Sequence, residues 1–252
     1  MKDVIYNEKT GGVGDISALL DISAGCVVSV AGCGGKTSLI NLLAAGNNKK
    51  KVLVSPTTKT FPMTSGGVIL CDTLEKCIKH IPQTGVQNLG QYSNRNGKLE
   101  ALPDHVLADM IPLYEIVLIE ADGSRWLPCK GWSDNEPVIP AYSTHTVGVV
   151  TMDALGKAAL KDFVHRLPEF LTLTGLKEGE VITEQVLEDM VCLPRGMFKA
   201  CSGQQYLIVN KVEDEDTVRV TEAFLKNIRK KYPDRFKRLI YGSVHRDIWH
   251  EV

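Results

Sequence analysis

One segment near the N-terminus restricts the possible folds of this chain more than any other. Residues 26–43 consist of an apolar, β-branched strand, a glycine-rich turn, Lys36 and Thr37, and then a helix with an apolar face. A strand, a glycine loop and a helix in this order are the context that a phosphate-binding loop requires. The segment therefore predicts an α/β protein organised around such a loop.

Each residue type in the turn contributes to phosphate binding. Glycines let successive backbone N–H groups point inward at an anion, and the helix N-terminus adds a positive dipole. Lys36 supplies a charge, and Thr37 offers a hydroxyl to Mg²⁺. The residues predicted to bind the nucleotide here are Gly32, Cys33, Gly34, Gly35, Lys36, Thr37 and Ser38.

The spacing of this loop is unusual. The common eight-residue pattern would need a glycine where Val30 stands, so the loop is the compact form G-x-x-G-K-T. In this it resembles the loop of Mur-type peptide ligases. Two other interpretations stay open: a tight turn whose lysine is only solvated, and a redox-sensing role for Cys33.

Apolar runs and helix-like patterns alternate along the rest of the chain, which predicts a mostly parallel sheet flanked by helices. Buried strands are predicted at residues 26–31, 51–55, 67–71, 115–120, 146–150, 205–210 and 238–241. Helices are predicted at residues 37–45, 72–80, 184–191 and 217–231, with Asp72 and Glu75 spaced as a capping box in the second.

Two departures from this alternation are predicted. Residues 86–92 and 98–102 flank Asn96-Gly97, a strong turn signal, and predict a small β-hairpin excursion. A helical insertion is expected at about residues 161–202. Since no linker rich in proline, serine or glycine interrupts the chain, residues 1–252 are interpreted as a single P-loop NTPase-like domain.

A second functional signal is the apolar strand that ends in Glu120-Ala-Asp122-Gly. Ligands of open parallel sheets collect at the carboxyl ends of the strands, so both carboxylates are expected beside the phosphate loop. The predicted catalytic residues are Lys36, Glu120 and Asp122. The predicted Mg²⁺ ligands are Thr37 and Asp122, with Glu120 as the alternative to Asp122. A plain Asp-Gly turn is the competing interpretation.

Nucleoside recognition is predicted at another strand end, Asn210-Lys211. These residues occupy the position of the Asn-Lys-x-Asp element of GTP-binding proteins, but Glu213 stands where that element has aspartate. Asn210 and Lys211 are therefore predicted to contact the base of either GTP or ATP. An ordinary polar strand end is the alternative.

A second-substrate site is predicted from polar residues beyond two of the strands. Thr57 and Thr58 follow the strand at 51–55, where many NTPases sense the γ-phosphate, although a hydroxyl-rich loop without that duty fits equally. His165 and Arg166 would add a cationic contact to an anion, or form an exposed helical pair. The candidate substrate residues are Thr57, Thr58, Arg125, Lys130, Glu136, His165 and Arg166.

Composition argues against several classes of protein. With 29 Lys and Arg against 30 Asp and Glu, the net charge is -1, which gives no general attraction to nucleic acid or acidic membranes. The seven cysteines are odd in number and contain no C-x-x-C pair, as expected of reduced thiols. No apolar stretch is long enough to cross a bilayer. We expect a soluble cytoplasmic protein without nucleic-acid or membrane partners.

Seven motifs taken together resemble the YqeC family. They are Ala31-Gly-Cys-Gly-Gly-Lys-Thr-Ser, Ser55-Pro-Thr-Thr-Lys-Thr, Ile119-Glu-Ala-Asp-Gly-Ser, Asn135-Glu-Pro-Val-Ile-Pro, Asp153-Ala-Leu-Gly-Lys, Val164-His-Arg and Val209-Asn-Lys-Val-Glu. The resemblance implies an accessory protein for selenium-dependent molybdenum hydroxylases, acting with a partner in the maturation of their selenium-containing cofactor.

Three functional classes are compatible with these motifs. One is a Mg²⁺-dependent, NTP-hydrolysing maturation factor, the second is a small-molecule kinase or ligase, and the third is a nucleotide-binding module without catalysis. Phosphoryl transfer needs mainly positioning and charge neutralisation, which the same loop provides in each case. The phosphate loop alone does not distinguish these classes.

Overall fold

The computed structural model describes residues 15–92 and 97–252. Within them, ten strands form one sheet in the order β12-β11-β10-β8-β1-β6-β2-β4-β3, with β5 paired to β4. The strands of the chain are β1 (Cys26–Gly32), β2 (Lys51–Pro56), β3 (Gly67–Leu70), β4 (Gly85–Tyr92), β5 (Leu99–Glu100), β6 (Ile116–Glu120), β7 (Cys129–Lys130), β8 (His145–Thr151), β9 (Val164–His165), β10 (Gln204–Asn210), β11 (Arg238–Ser243) and β12 (Ile248–Glu251).

Helices cover both faces of this sheet. They are α1 (Ile16–Leu19), α2 (Lys36–Gly46), α3 (Leu74–Ile78), α4 (Asp104–Met110), α5 (Leu167–Thr174), α6 (Glu184–Cys192) and α7 (Glu215–Lys231). The pairings of the large sheet are parallel except for β11 with β12 and β4 with β5. The predicted mixed α/β fold, with a mostly parallel sheet flanked by helices, is confirmed.

Burial on both faces explains why β1 is apolar except for Ser29, whose hydroxyl bonds to the Ser143 hydroxyl at 2.8 Å. Val28 and Val30 lie in one core with Leu39 of α2, whereas Val27 lies in another core with Leu107 of α4. A central parallel strand has no solvent-facing side, so it does not alternate between apolar and polar residues. The seven predicted strands and four predicted helices are all present, with ends that differ by a few residues.

The helix after β3 begins later than predicted. Thr73 is its N-cap and accepts a hydrogen bond from the backbone N–H of Lys76, while Asp72 forms an exposed ion pair with the Lys76 ammonium at 2.7 Å. The predicted Asp72–Glu75 capping box is therefore wrong by one residue. β3 itself is mostly exposed rather than buried, because it lies at the edge of the sheet and pairs only with β4.

The predicted hairpin is present, but it is not a separate excursion. Gln91 of β4 pairs with Glu100 of β5 in an antiparallel arrangement. β4 also pairs in parallel with β2 and β3, so it is a member of the main sheet. The predicted turn residue Asn96 lies outside the described residues.

Two cysteines depart from the expectation of reduced thiols. Cys71, which follows β3, forms a disulfide with Cys77 of α3, six residues later. The turn from strand to helix brings their Cα atoms within 5.7 Å, a separation typical of disulfides. The expectation is therefore wrong for this pair.

No helix in residues 15–92 and 97–252 has both the length and the apolar character of a membrane span.

Candidate functional site

The turn between β1 and α2 depends on glycine at each predicted position. Gly32, Gly34 and Gly35 have φ values of +107°, +91° and +127°, a region that residues with a side chain rarely adopt. A side chain at Gly32 would also clash with the neighbouring strand, since a Cβ there would lie 2.3 Å from the Val149 carbonyl oxygen. Gly35 is also the N-cap of α2. Because glycine has no side chain, no capping side chain accepts hydrogen bonds from the first N–H groups of this helix.

Lys36 is buried at this turn and is 3% exposed. Its ammonium donates a 2.7 Å hydrogen bond to the Gly32 carbonyl and lies 3.2 Å from the Asp122 carboxylate. Burial opposes the charged form, but the carboxylates of Asp122 and Glu120 outweigh it, so the pKa of Lys36 is raised. Lys36 is therefore not the solvated lysine of an ordinary turn.

Asp122 is the centre of a buried charge cluster. Its carboxylate accepts hydrogen bonds from the Gly32 N–H at 3.1 Å and from the Trp132 indole N–H at 2.7 Å. It also pairs with Lys36 and with the fully buried Lys130, each at 3.2 Å. Burial alone would raise its pKa, but the two ammonium groups and these hydrogen bonds lower it. Asp122 therefore holds the loop and both lysines in place.

Glu120 is the carboxylate that faces Thr37. The Thr37 hydroxyl donates to it at 3.1 Å, and the Thr60 hydroxyl donates at 2.9 Å. Burial is the largest influence and raises the pKa of Glu120, although Lys36 and the two hydroxyls act in the opposite direction. The Asp122 oxygens accept from lysine, indole and backbone donors, whereas the Glu120 oxygens accept from two hydroxyls, so this geometry favours Glu120, the predicted alternative, over Asp122 as a metal ligand.

The carboxylate of Glu120 and the hydroxyl of Thr37 are oxygen ligands that fit a hard cation. Mg²⁺ takes few protein ligands and keeps several waters, so one carboxylate and a hydroxyl beside phosphate oxygens are a suitable donor set. In the described ranges no cluster of three or more His, Cys, Asp or Glu side chains is suited to a metal. Glu120 and Thr37 are the two side chains of this site that could hold such a cation.

Cys33 lies within the turn but is fully buried, and its thiol donates to the Pro128 carbonyl at 3.0 Å. Burial raises the pKa of this thiol to about 12, and the nearby Lys36 only partly opposes that effect. A redox-sensing cysteine needs exposure and a lowered pKa, so the sensor interpretation of Cys33 is wrong. Ser38, the last residue predicted for the loop, is exposed in the first turn of α2.

Asn210 connects the end of β10 to the phosphate loop. Its amide donates to the Gly34 carbonyl at 2.8 Å, and its side-chain oxygen accepts from the Val244 N–H at 2.9 Å. Lys211 is half-exposed and forms an ion pair with Asp153. The structure thus places Asn210 and Lys211 beside the loop, with one donor and one acceptor contact of the Asn210 amide bracing it.

Glu213 is not free to read a base. Its carboxylate accepts a 2.6 Å hydrogen bond from the Ser243 hydroxyl and lies 3.8 Å from the guanidinium of Arg246. In the Asn-Lys-x-Asp element, the corresponding aspartate is available to the base. Glu213 instead joins the loop after β10 to the end of β11.

Asn210→Ala is expected to lower the free energy of unfolding by about 1–3 kcal/mol and to weaken nucleotide binding. The substitution leaves the part-buried Gly34 carbonyl and Val244 N–H without their side-chain partner, and each such group has a desolvation cost. Urea unfolding and calorimetry measure the two effects, with the exposed Asn48→Ala as the control. Wild-type values in both measurements would contradict the bracing role.

Three of the seven predicted second-substrate residues, Lys130, Glu136 and Arg166, belong to the charge cluster around Asp122 instead. Lys130 donates to the Gly123 carbonyl at 2.6 Å and pairs with Glu136 at 3.1 Å, and Glu136 accepts two hydrogen bonds from Arg166. Lys130 and Glu136 therefore have no polar group left for a substrate, and their predicted substrate role is not supported by this geometry. Arg166 is one-third exposed, and Arg125 is exposed.

The predicted cationic role of His165 is also not supported. Burial and the neighbouring charges of Lys130, Arg125 and Arg166 lower its pKa, so the imidazole is neutral near pH 7. His165 lies in β9 and Arg166 precedes α5 with φ of 56°, so they are not an exposed helical pair.

The two predicted threonines differ in their surroundings. Thr57 donates to the Val138 carbonyl at 2.7 Å and thereby links the loop after β2 to the segment between β7 and β8. The Thr58 hydroxyl is buried and has no hydrogen-bond partner. Sequence reasoning missed Thr60 and Trp132, which bond to Glu120 and Asp122. Thr60 is the last residue of the hydroxyl-rich run that begins at Thr57, and this run is the sequence feature from which Thr60 could have been predicted.

One protein family and one individual protein match this chain. The family described as YqeC protein matches residues 28–168, which include the phosphate loop and both carboxylates of the site. A protein of Escherichia coli (strain K12), described as "Uncharacterized protein YqeC", is 31% identical over 179 residues. These residues are 69% of this chain and 70% of that protein.

Proposed function

The chain belongs to the YqeC family, and from the geometry of its phosphate loop we propose that it binds a nucleoside triphosphate with Mg²⁺ and hydrolyses it. The observation that carries this proposal is the pair of hydroxyls, from Thr37 and Thr60, that converge on the buried carboxylate of Glu120. That carboxylate lies beside the loop whose lysine is held by Asp122.

The phosphates would lie against the N-terminus of α2. There the backbone N–H groups of the glycine turn and the Lys36 ammonium are the available positive groups. A phosphate oxygen would replace the Gly32 carbonyl as the acceptor of one Lys36 proton, while Asp122 keeps the ammonium charged and in place. Bound Mg²⁺ would neutralise charge that develops on the phosphates. Glu120 and Thr37 would hold the ion.

The nucleoside is proposed to be guanosine or adenosine, next to Asn210 and Lys211. Because the Glu213 carboxylate is bonded to Ser243, the carboxylate that selects guanine in GTP-binding proteins is not available here. A buried carboxylate that pairs both guanine donors is what rejects adenine. We therefore propose a site that accepts either GTP or ATP.

In the cell, we propose that this activity serves the maturation of a selenium-dependent molybdenum hydroxylase, as the motifs shared with the family imply. A small-molecule kinase or ligase is the second candidate, because the loop after β2 bonds to Glu120 through Thr60 and to the segment between β7 and β8 through Thr57. Phosphate release with and without small-molecule acceptors separates the two candidates. Hydrolysis by water alone supports the first, and acceptor-dependent turnover supports the second.

Glu120→Gln is the direct test of the proposed metal position. We expect Mg²⁺-dependent phosphate release to fall at least about tenfold, since one charge-assisted metal contact is lost. Stability without metal should stay the same or increase at neutral pH. Folding raises the pKa of Glu120, so its protonated form contributes to the stability of the fold. This contribution is complete at pH values below the unfolded pKa and is lost as the pH rises through the folded pKa.

Phosphate release and thermal unfolding of Glu120→Gln are compared with the wild type and with Glu178→Gln, which changes an exposed glutamate. Titration with Mg²⁺ in the presence of a fixed nucleotide concentration shows whether the metal requirement has changed. Turnover equal to the wild type at every Mg²⁺ concentration would exclude Glu120 as the metal ligand.

A further inference from the structure

An exposed pair of aromatic side chains lies on two loops beside the phosphate loop. Phe61 follows β2 and Trp126 follows β6, and their rings are nearly parallel, with planes at 16° and centroids 6.4 Å apart. Phe61 is 42% exposed and Trp126 is 89% exposed. A solvated indole leaves a large apolar face in water, so a ligand that stacks on this aromatic pair would remove that face from solvent.

The aromatic pair is next to the proposed metal position. Phe61 adjoins Thr60, whose hydroxyl donates to Glu120 at 2.9 Å, and Trp126 lies four residues after Asp122. In the sheet, β2 and β6 lie on one side of β1, whereas β8 and β10 lie on the other. The aromatic pair is therefore on the side of the loop opposite Asn210, where the nucleoside is proposed to lie.

The backbone keeps the indole away from the core. Arg125 and Trp126 have φ values of 50° and 63°, and two successive left-handed residues with bulky side chains are uncommon. The next turn is fixed by the buried Lys130, whose ammonium donates to the Gly123 carbonyl. The outward position of Trp126 is thus held by its anchored loop.

One cation lies over the Phe61 ring, and another precedes Trp126 in the sequence. The Lys98 ammonium lies 5.0 Å from the centre of the Phe61 ring, and Arg125 is exposed next to Trp126. Neither cation has a carboxylate partner in the part of the chain that the structure describes, whereas the nearby Lys59 is paired with Glu100. Stacking surfaces with free cations favour flat ligands that carry negative charge.

We propose that the aromatic pair and its two cations bind the second substrate, a planar heterocycle that bears an anionic group. The ring would stack on Trp126, and Arg125 and Lys98 would contact the anion. This inference rests on the proposed function only in placing the ligand beside a nucleotide. Binding of the heterocycle itself does not require the nucleotide.

Flavin mononucleotide is a suitable probe, because it combines a flat ring with a phosphate and its fluorescence is quenched when it stacks on indole. Titrating protein into the flavin should show saturable quenching. Trp126→Ala should weaken binding about tenfold through lost stacking, and Trp126→Phe should keep part of the affinity. Val181→Ala, which changes another exposed apolar residue, should have no effect.

Riboflavin and ribose 5-phosphate separate the contributions of ring and anion. Riboflavin should bind about threefold more weakly than flavin mononucleotide, and Arg125→Gln should reduce that difference, because Lys98 then remains as the one cation for the phosphate. Ribose 5-phosphate should not displace the flavin at equal concentration. Lys36→Met should leave flavin binding unchanged, so failure of the nucleotide proposal and failure of this one are distinguishable.

Three results would overturn the inference. The first is equal flavin affinity in the wild type and in Trp126→Ala. The second is loss of flavin binding in Lys36→Met, which would place the flavin phosphate in the phosphate loop. The third is a change in oligomeric state on Trp126→Ala without an effect on flavin binding, which would make the aromatic pair a protein interface.

Discussion

Lys36→Met is expected to weaken the binding of Mg²⁺-ATP and Mg²⁺-GTP by about ten- to a hundredfold. A charge-assisted hydrogen bond contributes on the order of 1.5–3 kcal/mol, and each 1.4 kcal/mol is about tenfold in affinity. Methionine keeps the aliphatic stem in a position that is 3% exposed, so the effect of lost charge is separated from the effect of a cavity. Calorimetric titration with either nucleotide measures the change.

Two controls accompany that measurement. Lys59→Met removes an exposed lysine whose partner is Glu100 and should leave the affinity unchanged. Urea unfolding of Lys36→Met shows whether the protein is folded under the titration conditions, since Asp122 loses one of its two ammonium partners but keeps Lys130. A folded Lys36→Met protein with wild-type affinity would show that the turn does not bind phosphate.

Asp122→Asn is expected to lower the free energy of unfolding by about 3–5 kcal/mol at neutral pH. The substitution leaves the ammonium groups of Lys36 and Lys130 without their shared carboxylate, and both side chains are buried. It also weakens the contact that holds the Gly32 N–H at the start of the loop. Turnover should therefore fall as a consequence of a displaced loop and lysine.

The effect of Asp122→Asn should depend on pH in a defined direction. The pKa of Asp122 is lowered in the fold, so its stabilisation is complete above its unfolded value, about 3.9, and is lost as the pH falls through the folded value. The difference between wild type and variant should therefore shrink in strong acid. Urea unfolding across this range measures it.

Asp134→Asn is the matched control, because Asp134 pairs with Arg195 at the surface and both side chains are largely exposed. Exposed pairs contribute little to stability, so this variant should unfold like the wild type at every pH. If Asp122→Asn is as stable as Asp134→Asn at neutral pH, the buried cluster does not stabilise the fold.

Parts of the site were predictable because they depend on local chemistry. The glycine turn is one case: its positive φ values are properties of the residues themselves, and the strand before it is buried on both faces and apolar except for Ser29. Strand and helix positions followed from the same local patterns. The predicted positions of strands and helices were accurate with two exceptions. β3 is exposed because it lies at the sheet edge, and α3 has its N-cap at Thr73, one residue later than predicted.

The roles of individual side chains were harder to predict. Glu120 and Asp122 are two residues apart, and the sequence gives no reason to prefer one for Thr37. Lys130 and Glu136 look like surface polar residues in a loop, yet Lys130 is fully buried and both belong to an ion network. Their environment depends on Trp132 and Arg166, which come from different segments.

By itself, the sequence determined the class of fold, the conformation of the phosphate loop and the edge of the sheet where polar residues collect. Those features are set by backbone preference and by apolar patterns within a few residues. The tertiary structure decided which carboxylate faces Thr37 and which one holds Lys36. The contact from Thr37 to Glu120 spans 83 residues and that from Gly32 to Asp122 spans 90, so only the pairing of β1 with β6 creates them.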